Sequence, residues 1–379
     1  MSWKKVRLGD VATFVNGYPF KPTDWGIEGY EIIRIQNLTK GNSESNYFSG
    51  NIPEKYKVVC GDILISWSAT LDIFVWKGND AWLNQHIFKV VFDKIDIDKS
   101  YFIYAIKNIL VEMRKQVHGA TMQHITKGKF DNLEIPLPPL ATQKRIAEIL
   151  DAADALRRKD QELIKKYDEL AQATFINMFG DPVKNEKGWD VTSISGIFDV
   201  LSGGTPSTKN PEYWENGDIP WIGSSLCKDN FVFKSNGKFI TSKGLENSSA
   251  KMIPKNTVII ALVGATIGKI GLIKFETCTN QNVAALIPKN KETISEIFTF
   301  YMMKSLYHKF EEVGGDKFKM ANLSFVKSLP FLSPPINLQI EFSEIITQII
   351  NLKKSTENGL GDELFNTCIQ KAFNGELVS

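Results

Sequence analysis

The sequence is poor in the residues that build metal and catalytic centres. Its 379 residues include only four cysteines and four histidines. The cysteines have no CxxC spacing, which argues against a zinc ribbon or a disulfide framework and fits reduced thiols in the cytoplasm. The histidines form no HExxH motif and no cluster with metal-ligand spacing. We therefore predict a chain with no metal site, no cofactor of its own and no catalytic residues.

Net charge and long apolar runs are also scarce. The 45 basic and 43 acidic residues leave a charge of +2, which excludes a polybasic protein but not a DNA reader with local basic loops. The longest apolar stretch, 258–267, is about half a membrane span, and the N-terminus lacks the apolar core of a signal peptide. With 43% hydrophobic residues, the composition predicts a soluble, cytoplasmic, globular protein without a membrane partner.

What the sequence does contain is one unit written twice. The segment Leu133–Leu140 (LEIPLPPL) recurs as Leu329–Ile336 (LPFLSPPI), a shift of 196 residues. The same ungapped shift pairs Asn84-Gln85 with Asn280-Gln281 and Gln143 with Gln339. Towards the N-terminus the shift becomes 186 and pairs Trp3 and Gly17 with Trp189 and Gly203. The period is much longer than that of a solenoid, so it indicates a tandem duplication.

Each copy begins with a mixed domain. Short runs of β-branched residues bounded by Gly, Asp and Asn predict strands, namely Glu31–Ile35, Asp62–Ser66 and His86–Val91 in the first copy and Thr257–Leu262 and Asn282–Ile287 in the second. Helices are predicted around Tyr101–Gln116 and Ser295–Glu312. Strand runs with one or two helices predict an α+β domain.

A segment of about 40 residues follows each domain. Residues 141–178 contain no Gly or Pro, and apolar or small residues recur in steps of three and four, which predicts a long helix with coiled-coil character. In the second copy Gly359 and Gly361 interrupt the pattern. We expect helix pairing or partner docking through Ile149, Leu150, Leu156, Leu163, Leu170, Ile345, Ile349 and Leu352. The predicted boundaries are 1–140 and 179–335 for the domains and 141–178 and 336–379 for the helices.

Polar residues recur in loops of both copies. Asn and Gln can each bond two groups on an adenine edge, so Asn84-Gln85 and Asn280-Gln281 suit base reading, although they would equally serve to satisfy loop backbone. Hydroxyls and lysines after strands suit phosphate contacts, with ordinary turns and solvated surface loops as the alternative. The candidate DNA-binding residues are Arg34, Ser66, Ser68, Thr70, Asn84, Gln85, His86, Thr121, Gln123, His124, Lys127, Thr205, Ser207, Thr266, Lys269, Asn280, Gln281, Asn282, Lys317, Lys319 and Asn322.

Taken in order and doubled, several motifs resemble the specificity subunit of type I restriction–modification systems. They are the Trp3–Asp10 opening, Gly61–Ser66, Pro138–Leu150, the second-copy segments Gly203–Ser207 and Gly264–Gly268, and Lys371–Leu377 near the end of the sequence. The second copy departs from the first at Phe331–Pro335 and at Phe342-Ser343, which stand where the first has Ile135–Pro139 and Ile146-Ala147.

The resemblance implies two similar α/β target-recognition domains, separated by two long helices that pair as an antiparallel coiled coil in a pseudo-twofold tandem repeat. It also implies a non-catalytic subunit that binds double-stranded DNA and docks two modification subunits and, through them, restriction subunits. S-adenosylmethionine, ATP and Mg would then be needed only by those partners.

Two other classes compete with this interpretation. A single-chain DNA methyltransferase or nuclease would need a cofactor loop, and the Gly-rich segment Ser202–Ser207 lacks the dinucleotide spacing and the P-loop lysine. A coiled-coil adaptor would bind only proteins. A helix of about 38 residues is about 57 Å long, which favours two recognition domains more than one DNA turn apart and therefore a bipartite target.

Overall fold

The computed structural model describes residues 3–39, 44–68, 70–116, 125–312 and 320–378. The chain divides into two compact units. Unit 1 consists of Met1–Gln161 together with Gly359–Ser379, and unit 2 consists of Glu162–Asn358. These units are defined by spatial contacts and not by the sequence repeat, so the domain boundaries inferred from the repeat stay predictions.

The first part of unit 1 contains ten strands and the helices α1 to α5 within the described residues. The strands are β1 (Lys5–Arg7), β2 (Thr13–Asn16), β3 (Tyr30–Ile33), β4 (Asn46–Phe48), β5 (Lys57–Val58), β6 (Ile63–Ser66), β7 (Asp72–Val75), β8 (Ala81–Leu83), β9 (Ile87–Val91) and β10 (Glu134–Pro136). The helices are α1 (Leu8–Val11), α2 (Ile35–Thr39), α3 (Lys99–Gln116), α4 (Lys127–Asp131) and α5 (Leu140–Phe179), of which α5 continues into unit 2.

Alternating side chains of strand β6 explain the layers of unit 1. Its sheet has the order β2-β9-β6-β7, and a smaller sheet has the order β4-β3-β8-β5. Ile63 and Ile65 pack in the cluster that contains α3 residues, whereas Leu64 packs with Ile33 and Leu83 of the smaller sheet. Because successive side chains of a strand point to opposite faces, β6 is buried on both sides, between a helical layer and the smaller sheet.

Unit 2 repeats this architecture. Its strands are β11 (Val191–Ser193), β12 (Phe198–Ser202), β13 (Ile219–Ile222), β14 (Asn230–Val232), β15 (Phe239–Ile240), β16 (Met252–Ile253), β17 (Thr257–Ala261), β18 (Ile270–Ile273), β19 (Thr277–Thr279), β20 (Val283–Pro288) and β21 (Pro330–Leu332). Its helices, besides the second part of α5, are α6 (Ile194–Ile197), α7 (Ser242–Glu246), α8 (Glu296–Ser305), α9 (Tyr307–Glu312), α10 (Leu323–Ser328) and α11 (Ile336–Glu357), and α12 (Leu360–Asn374) returns to unit 1.

The sheets of unit 2 have the same strand order as those of unit 1. The larger sheet is β12-β20-β17-β18 with β14 added at its edge, and the smaller sheet is β15-β13-β19-β16. In both units the first and last short strands, β1 with β10 and β11 with β21, form an antiparallel pair. The predicted α+β tandem duplication is therefore confirmed, and among the residues that the structure describes β14 has no counterpart in unit 1.

Most predicted elements are present, with small differences at their ends. Strand β3 ends at Ile33, two residues earlier than predicted, because Asn37 accepts a hydrogen bond from the Arg34 backbone N–H (3.0 Å) and helix α2 begins at Ile35. The helix predicted at 295–312 is divided at Leu306 into α8 and α9.

The helical segments that follow the two domains, residues 140–179 and 336–374, are here called the first and second spacer helices; the first is continuous and the second is broken. Helix α5 is uninterrupted from Leu140 to Phe179, which confirms the predicted helix. The second segment is divided between Glu357 and Leu360 into α11 and α12. At Gly361 a Cβ atom would overlap Asp160 Oδ2 and lie 3.2 Å from Arg157 Cα, so this glycine permits the close packing of α12 on α5 within unit 1.

The buried faces of the spacer helices differ in part from the predicted seam. Leu150 of α5 packs with Phe365 and Ala372 of α12 in unit 1, and Phe175 and Phe179 of α5 pack against α11 in unit 2. Among the residues expected to pair, Leu150 and Ile349 are buried and Ile149 and Ile345 are half-buried. Four leucines are instead 39–53% exposed: Leu156, Leu163, Leu170 and Leu352.

A buried glutamine fastens the start of each spacer helix. Gln143 accepts from the backbone N–H of Asp98 (2.9 Å) and donates to the carbonyl of Pro138 (2.9 Å). Gln339 accepts from the backbone N–H of Ser295 (3.0 Å) and donates to the carbonyl of Pro334 (2.8 Å). The same clamp therefore joins the proline-rich segment, the spacer helix and the domain helix in both copies.

None of the helices in the described ranges is long and apolar enough to cross a membrane.

Candidate nucleic-acid interface

The repeated Asn-Gln pair of unit 1 lies at one edge of the smaller sheet. Strands β3 and β8 run parallel, with Ile33 opposite Leu83. Their carboxyl ends therefore meet at the same edge, and Arg34 and Asn84 follow them directly. The Asn84 backbone N–H donates to the Ile33 carbonyl (3.2 Å) and the Asn84 carbonyl accepts from Ile87 (3.2 Å). These bonds fix the loop that carries Gln85 and His86.

Unit 2 builds the same edge from different residues. Strands β13 and β19 run parallel, with Ile222 opposite Thr279. The Asn280 backbone N–H donates to the Ile222 carbonyl (3.0 Å), the bond that corresponds to Asn84 and Ile33. The Asn280 side chain accepts from the backbone N–H of Asn282 (3.0 Å). The amide pair thus sits on an equivalent, backbone-anchored loop in each copy.

The glycine directly after strand β2 in unit 1 and the one directly after strand β12 in unit 2 both pack against the backbone at this edge. A Cβ atom on Gly17 would overlap the Asn84 carbonyl, and a Cβ atom on Gly203 would overlap the Thr279 carbonyl. The residue after each glycine is hydrogen-bonded to the same stretch of backbone: the Tyr18 N–H donates to the Leu83 carbonyl (2.7 Å), and the Gly204 N–H donates to the Thr279 carbonyl (2.9 Å). This explains why the repeat pairs Gly17 with Gly203.

The side chains of unit 1 at this edge are packed to different degrees. Asn84 is buried, and Gln85 and His86 are half-buried. The His86 ring lies 5.4 Å from that of Trp67, and its buried Nδ1 makes no hydrogen bond within the part of the chain that the structure describes. The Arg34 guanidinium lies 5.0 Å from the Trp25 ring and donates to the Glu44 carbonyl (3.1 Å).

The hydroxyl residues after strand β6 mainly close a turn. Ser66 is fully buried, accepts from the backbone N–H of Asp72 (3.1 Å) and donates to the carbonyl of Thr70. Ser68 is also buried, whereas Thr70 is exposed. Lys127, at the start of α4, forms an ion pair with Asp131 (2.6 Å). Of these four predicted residues, Thr70 therefore has the side chain best placed to meet a ligand.

Unit 2 presents an exposed amide beside a hydroxyl. The Thr205 hydroxyl donates to Gln281 Oε1 (2.7 Å), and both residues are exposed. Asn280 and Asn282 are half-buried, and Ser207 is exposed. Thr205 and Gln281 are 76 residues apart in the chain, and the fold brings these two predicted residues together.

Two of three further predicted residues of unit 2, Lys269 and Asn322, have side-chain partners. Lys269 forms an ion pair with Asp229 (2.6 Å) and its ammonium lies 4.6 Å from the Tyr307 ring. The hydrogen bond from Asp229 holds the pKa of Lys269 above its usual value. Thr266 is half-buried in the turn before it, and Asn322 caps α10 by accepting from the Phe325 N–H (2.8 Å). These contacts favour the structural alternative for Lys269 and Asn322.

Five predicted residues lie outside the described residues: Thr121, Gln123, His124, Lys317 and Lys319.

Sequence reasoning missed the aromatic surroundings of both loops. Trp67 Nε1 donates to Asn16 (3.1 Å) beside His86 in unit 1. In unit 2, Trp214 and Trp221 pack edge to face, with their ring centroids 5.2 Å apart. In the sequence, Trp67, Trp214 and Trp221 stand out only as single tryptophans among polar residues. Their partners could not be inferred, because Trp67 and its partner Asn16, for example, are 51 residues apart.

Within the described ranges, no three His, Cys, Asp or Glu side chains are arranged to hold a metal ion. The described residues form a duplicated α+β unit that holds an amide-bearing loop at the same sheet edge in each copy. The chain belongs to the family of type I restriction–modification DNA specificity domains, whose model matches residues 1–166 and 186–365.

Named relatives span nearly the whole chain. The EcoBI specificity subunit of Escherichia coli is 24% identical over 418 residues, which cover 100% of this chain and 87% of that subunit. The MjaVIII specificity subunit of Methanocaldococcus jannaschii is 26% identical over 359 residues, covering 89% of this chain and 81% of that one. The S subunit from M. genitalium shares the fold, with a TM-score of 0.57 at 18% identity, covering 98% of this chain and 96% of that one.

Proposed function

We propose that this chain is the non-catalytic, sequence-specific DNA-binding subunit of a type I restriction–modification complex. Each unit would read one half of a bipartite target in double-stranded DNA. The observation that carries the proposal is the Asn-Gln loop, which is anchored by the same backbone bonds at the same sheet edge in both copies. Amide side chains on a backbone-anchored edge suit base reading in the major groove, Gln281 is exposed there and Gln85 is half-buried, and the family membership supports this role.

The two half-sites should differ in sequence. The shift of the repeat places His86 where the second copy has Asn282, and Pro19 where the second copy has Thr205. Proline has no hydroxyl, so Gln85 lacks the partner that Gln281 receives from Thr205. Because base choice depends on which groups a loop presents, the target should be asymmetric and not palindromic.

The spacer helices would set the distance between the half-sites and dock the partners. We propose that they pair as an antiparallel coiled coil with pseudo-twofold symmetry and bind two modification subunits, which are adenine methyltransferases and recruit the restriction subunits. The exposed Leu156, Leu163 and Leu170 support this, since they recur every seven residues along one helix and remain open to a partner. S-adenosylmethionine, ATP and Mg would bind only to the partner subunits.

The deciding experiment is to reconstitute the chain with its modification subunits and map methylated adenines on genomic DNA. We expect methylation within one split, asymmetric sequence, and none when either component is omitted. A single continuous palindrome, or methylation by the purified chain alone with S-adenosylmethionine, would overturn the proposal. The absence of any DNA footprint with the partners present would favour a protein-only adaptor.

A domain exchange tests whether each unit reads separately. Replacing residues 179–335 by the corresponding domain of another family member should change one half of the methylated sequence and leave the other half intact. Loss of both halves in a complex that still assembles would contradict modular reading.

Docking is tested by the double variant Leu163→Ser/Leu170→Ser. Both side chains are at least 39% exposed, so folding should be little affected, while co-purification with the modification subunits should fall severalfold. Ala155→Ser changes another exposed position of the same helix and should leave co-purification unchanged. Equal recovery of partner with the double variant would exclude this face of α5 as the docking surface.

A further inference from the structure

Unit 2 contains a cleft walled by aromatic rings on one face of its smaller sheet. Trp214, Trp221 and Phe239 form its walls, Thr205, Thr208 and Lys238 lie at its rim, and its volume is about 770 Å³. Small-molecule sites usually have volumes of about 300–1,000 Å³. The cleft is therefore large enough for a nucleobase with its sugar.

The rings of the cleft offer faces and not donors. Trp221 Nε1 donates to the Gly204 carbonyl (2.9 Å) and Trp214 Nε1 donates to the Ser207 carbonyl (3.2 Å). With both indole N–H groups bound to backbone, Trp214 and Trp221 can contact a ligand only through their rings. Trp214 is half-buried, Trp221 is 8% exposed, and Phe239 adds a ring that is 37% exposed. Such surfaces stack with planar heteroaromatic rings.

The corresponding face of unit 1 is filled. Trp221 lies opposite Cys278 in the parallel pair, whereas the equivalent pair in unit 1 has Ile32 opposite Trp82. In unit 1 that face is covered by a ring cluster in which Phe20 lies 4.9 Å from Tyr18 and 5.3 Å from Phe48 between centroids. In unit 2 the small Ala250 and Cys278 pack with Trp221. The second copy thus keeps a space where the first has packed aromatic side chains.

The cleft adjoins the repeated amide loop. Thr205 lies at the cleft rim and its hydroxyl donates to Gln281 (2.7 Å). The Lys238 ammonium lies 5.9 Å from the Trp221 ring centroid, and Lys238 and Glu215 both line the cleft. Aromatic faces, a rim cation and rim hydroxyls are the combination that binds unstacked bases.

We propose that this cleft takes up the base of a nucleotide, stacked against Trp214 and Phe239, with Lys238 near its phosphate. When the base comes from the half-site read by unit 2, the inference rests on the proposed DNA-reading role. The base would then be turned out of the duplex, as happens in enzymes that flip bases. The same chemistry would accept a free nucleotide, and the two sources are separated by experiment.

The DNA arm uses the reconstituted complex and duplexes in which each nucleotide of that half-site is made abasic in turn. Phe239→Ala should weaken binding of the intact target about tenfold, the loss expected for one stacked base. At one position, removing the base should abolish the difference between Phe239→Ala and the unchanged chain. Phe239→Tyr should restore binding because it keeps the ring. Phe233→Ala changes another exposed phenylalanine, 47% exposed against 37% for Phe239, outside the cleft and should have no effect.

The free-nucleotide arm titrates the purified chain with AMP and follows tryptophan fluorescence. Saturable quenching that is lost in Phe239→Ala and kept in Phe233→Ala supports uptake of a free nucleotide. Trp214→Phe provides a second cleft variant in case one change disturbs folding, which circular dichroism would reveal. If Phe239→Ala binds the intact target like the unchanged chain, or stays weaker on every abasic duplex, and AMP gives no quenching, the inference is wrong. A complex without any target-dependent methylation would instead refute the proposed function, and the AMP titration would still decide the cleft.

Discussion

At the residue scale, the buried glutamine at the start of each spacer helix should contribute measurably to the free energy of unfolding. Gln339 is 1% exposed and satisfies the Ser295 N–H and the Pro334 carbonyl. Gln339→Ala leaves both backbone groups without a partner, and each buried unsatisfied group costs about 1–3 kcal/mol. We expect the free energy of unfolding of unit 2 to fall by about 2–4 kcal/mol, measured by urea denaturation followed by circular dichroism.

Gln348→Ala is the matched control, since Gln348 lies on the same helix and is exposed. It should change the unfolding free energy by less than about 0.5 kcal/mol. Similar losses for both variants would show that the helix is sensitive to any change and that the clamp has no special role.

Thiol reactivity should separate the cysteines. Burial raises the pKa of the Cys227 and Cys278 thiols to about 12, so at pH 8 only about one molecule in 10⁴ carries the reactive thiolate. Cys60 is exposed and Cys368 is buried. We expect one fast-reacting thiol with a disulfide reagent at pH 8, and reaction of Cys227 and Cys278 only after unfolding.

Raising the pH from 7 to 9 should leave Cys227 and Cys278 protected, because even at pH 9 the pKa of each thiol lies about three units above the solution pH. Cys60→Ser should remove the fast phase. Fast reaction of Cys227 or Cys278 in the native chain would contradict the packing of unit 2.

Single residues could be predicted only where their role is local. The sequence repeat drew attention to Gln143 and Gln339, but their partners Asp98 and Ser295 lie about 45 residues away, so the clamp could not be foreseen. For the same reason Thr205 and Gln281 were separate candidates until the fold joined them. Asn322 was a candidate DNA ligand, and the structure uses its side chain as a helix cap.

At the element scale, the junction of α12 with α5 depends on a residue without a side chain. At Gly361 an added Cβ would overlap Asp160 Oδ2, which can rotate away, and lie 3.2 Å from Arg157 Cα, which can yield only slightly. Gly361→Ala should therefore change stability by less than about 1 kcal/mol, whereas Gly361→Leu should destabilise unit 1 by about 1–3 kcal/mol, typical of overpacking. Thermal unfolding of both variants measures the contrast, and equal stabilities would contradict the close approach.

Elements were more predictable than sites because periodicity is a local property. Strand β17 and helix α5 were found from runs of β-branched residues and from a long segment without Gly or Pro. The heptad count was less successful at identifying the buried face. Leu156, Leu163 and Leu170 fit the pattern and are exposed, whereas Leu150 and Ala153, which the pattern also included, are buried, as is Ala147, which it did not include. Apolar spacing identifies a stripe, but only the position of the packed partner decides which stripe is covered.

At the scale of the whole molecule, unit 1 is completed by the last part of the chain. Phe365, Cys368 and Ala372 belong to its core. Deleting residues 359–379 should therefore lower the free energy of unfolding of unit 1. The loss should exceed the cost of truncating one core phenylalanine, which is about 3–5 kcal/mol. Hydrogen exchange should rise in α3 and in residues 140–161, while peptides of unit 2 keep their protection.

Phe365→Ala provides a milder control for the deletion, with exchange raised in the same peptides to a smaller extent. Increased exchange throughout residues 162–358 would contradict the division into two units. The duplication itself could be predicted from the sequence, but this division could not, because a repeat does not reveal which copy recruits a distant segment.

Because unit 1 is built from two separate segments of the chain, its folding can be completed only after the second segment has been synthesised. Some 200 residues separate Gln161 from Gly359, which at about 5–20 residues per second is about 10–40 seconds of synthesis. Throughout that interval the side chains of Leu150 and Ala153 lack the α12 residues that pack in the same core cluster. The half that leaves the ribosome first is therefore the half that is completed last, and a nascent chain stalled before Gly359 should present unit 1 to chaperones while unit 2 folds.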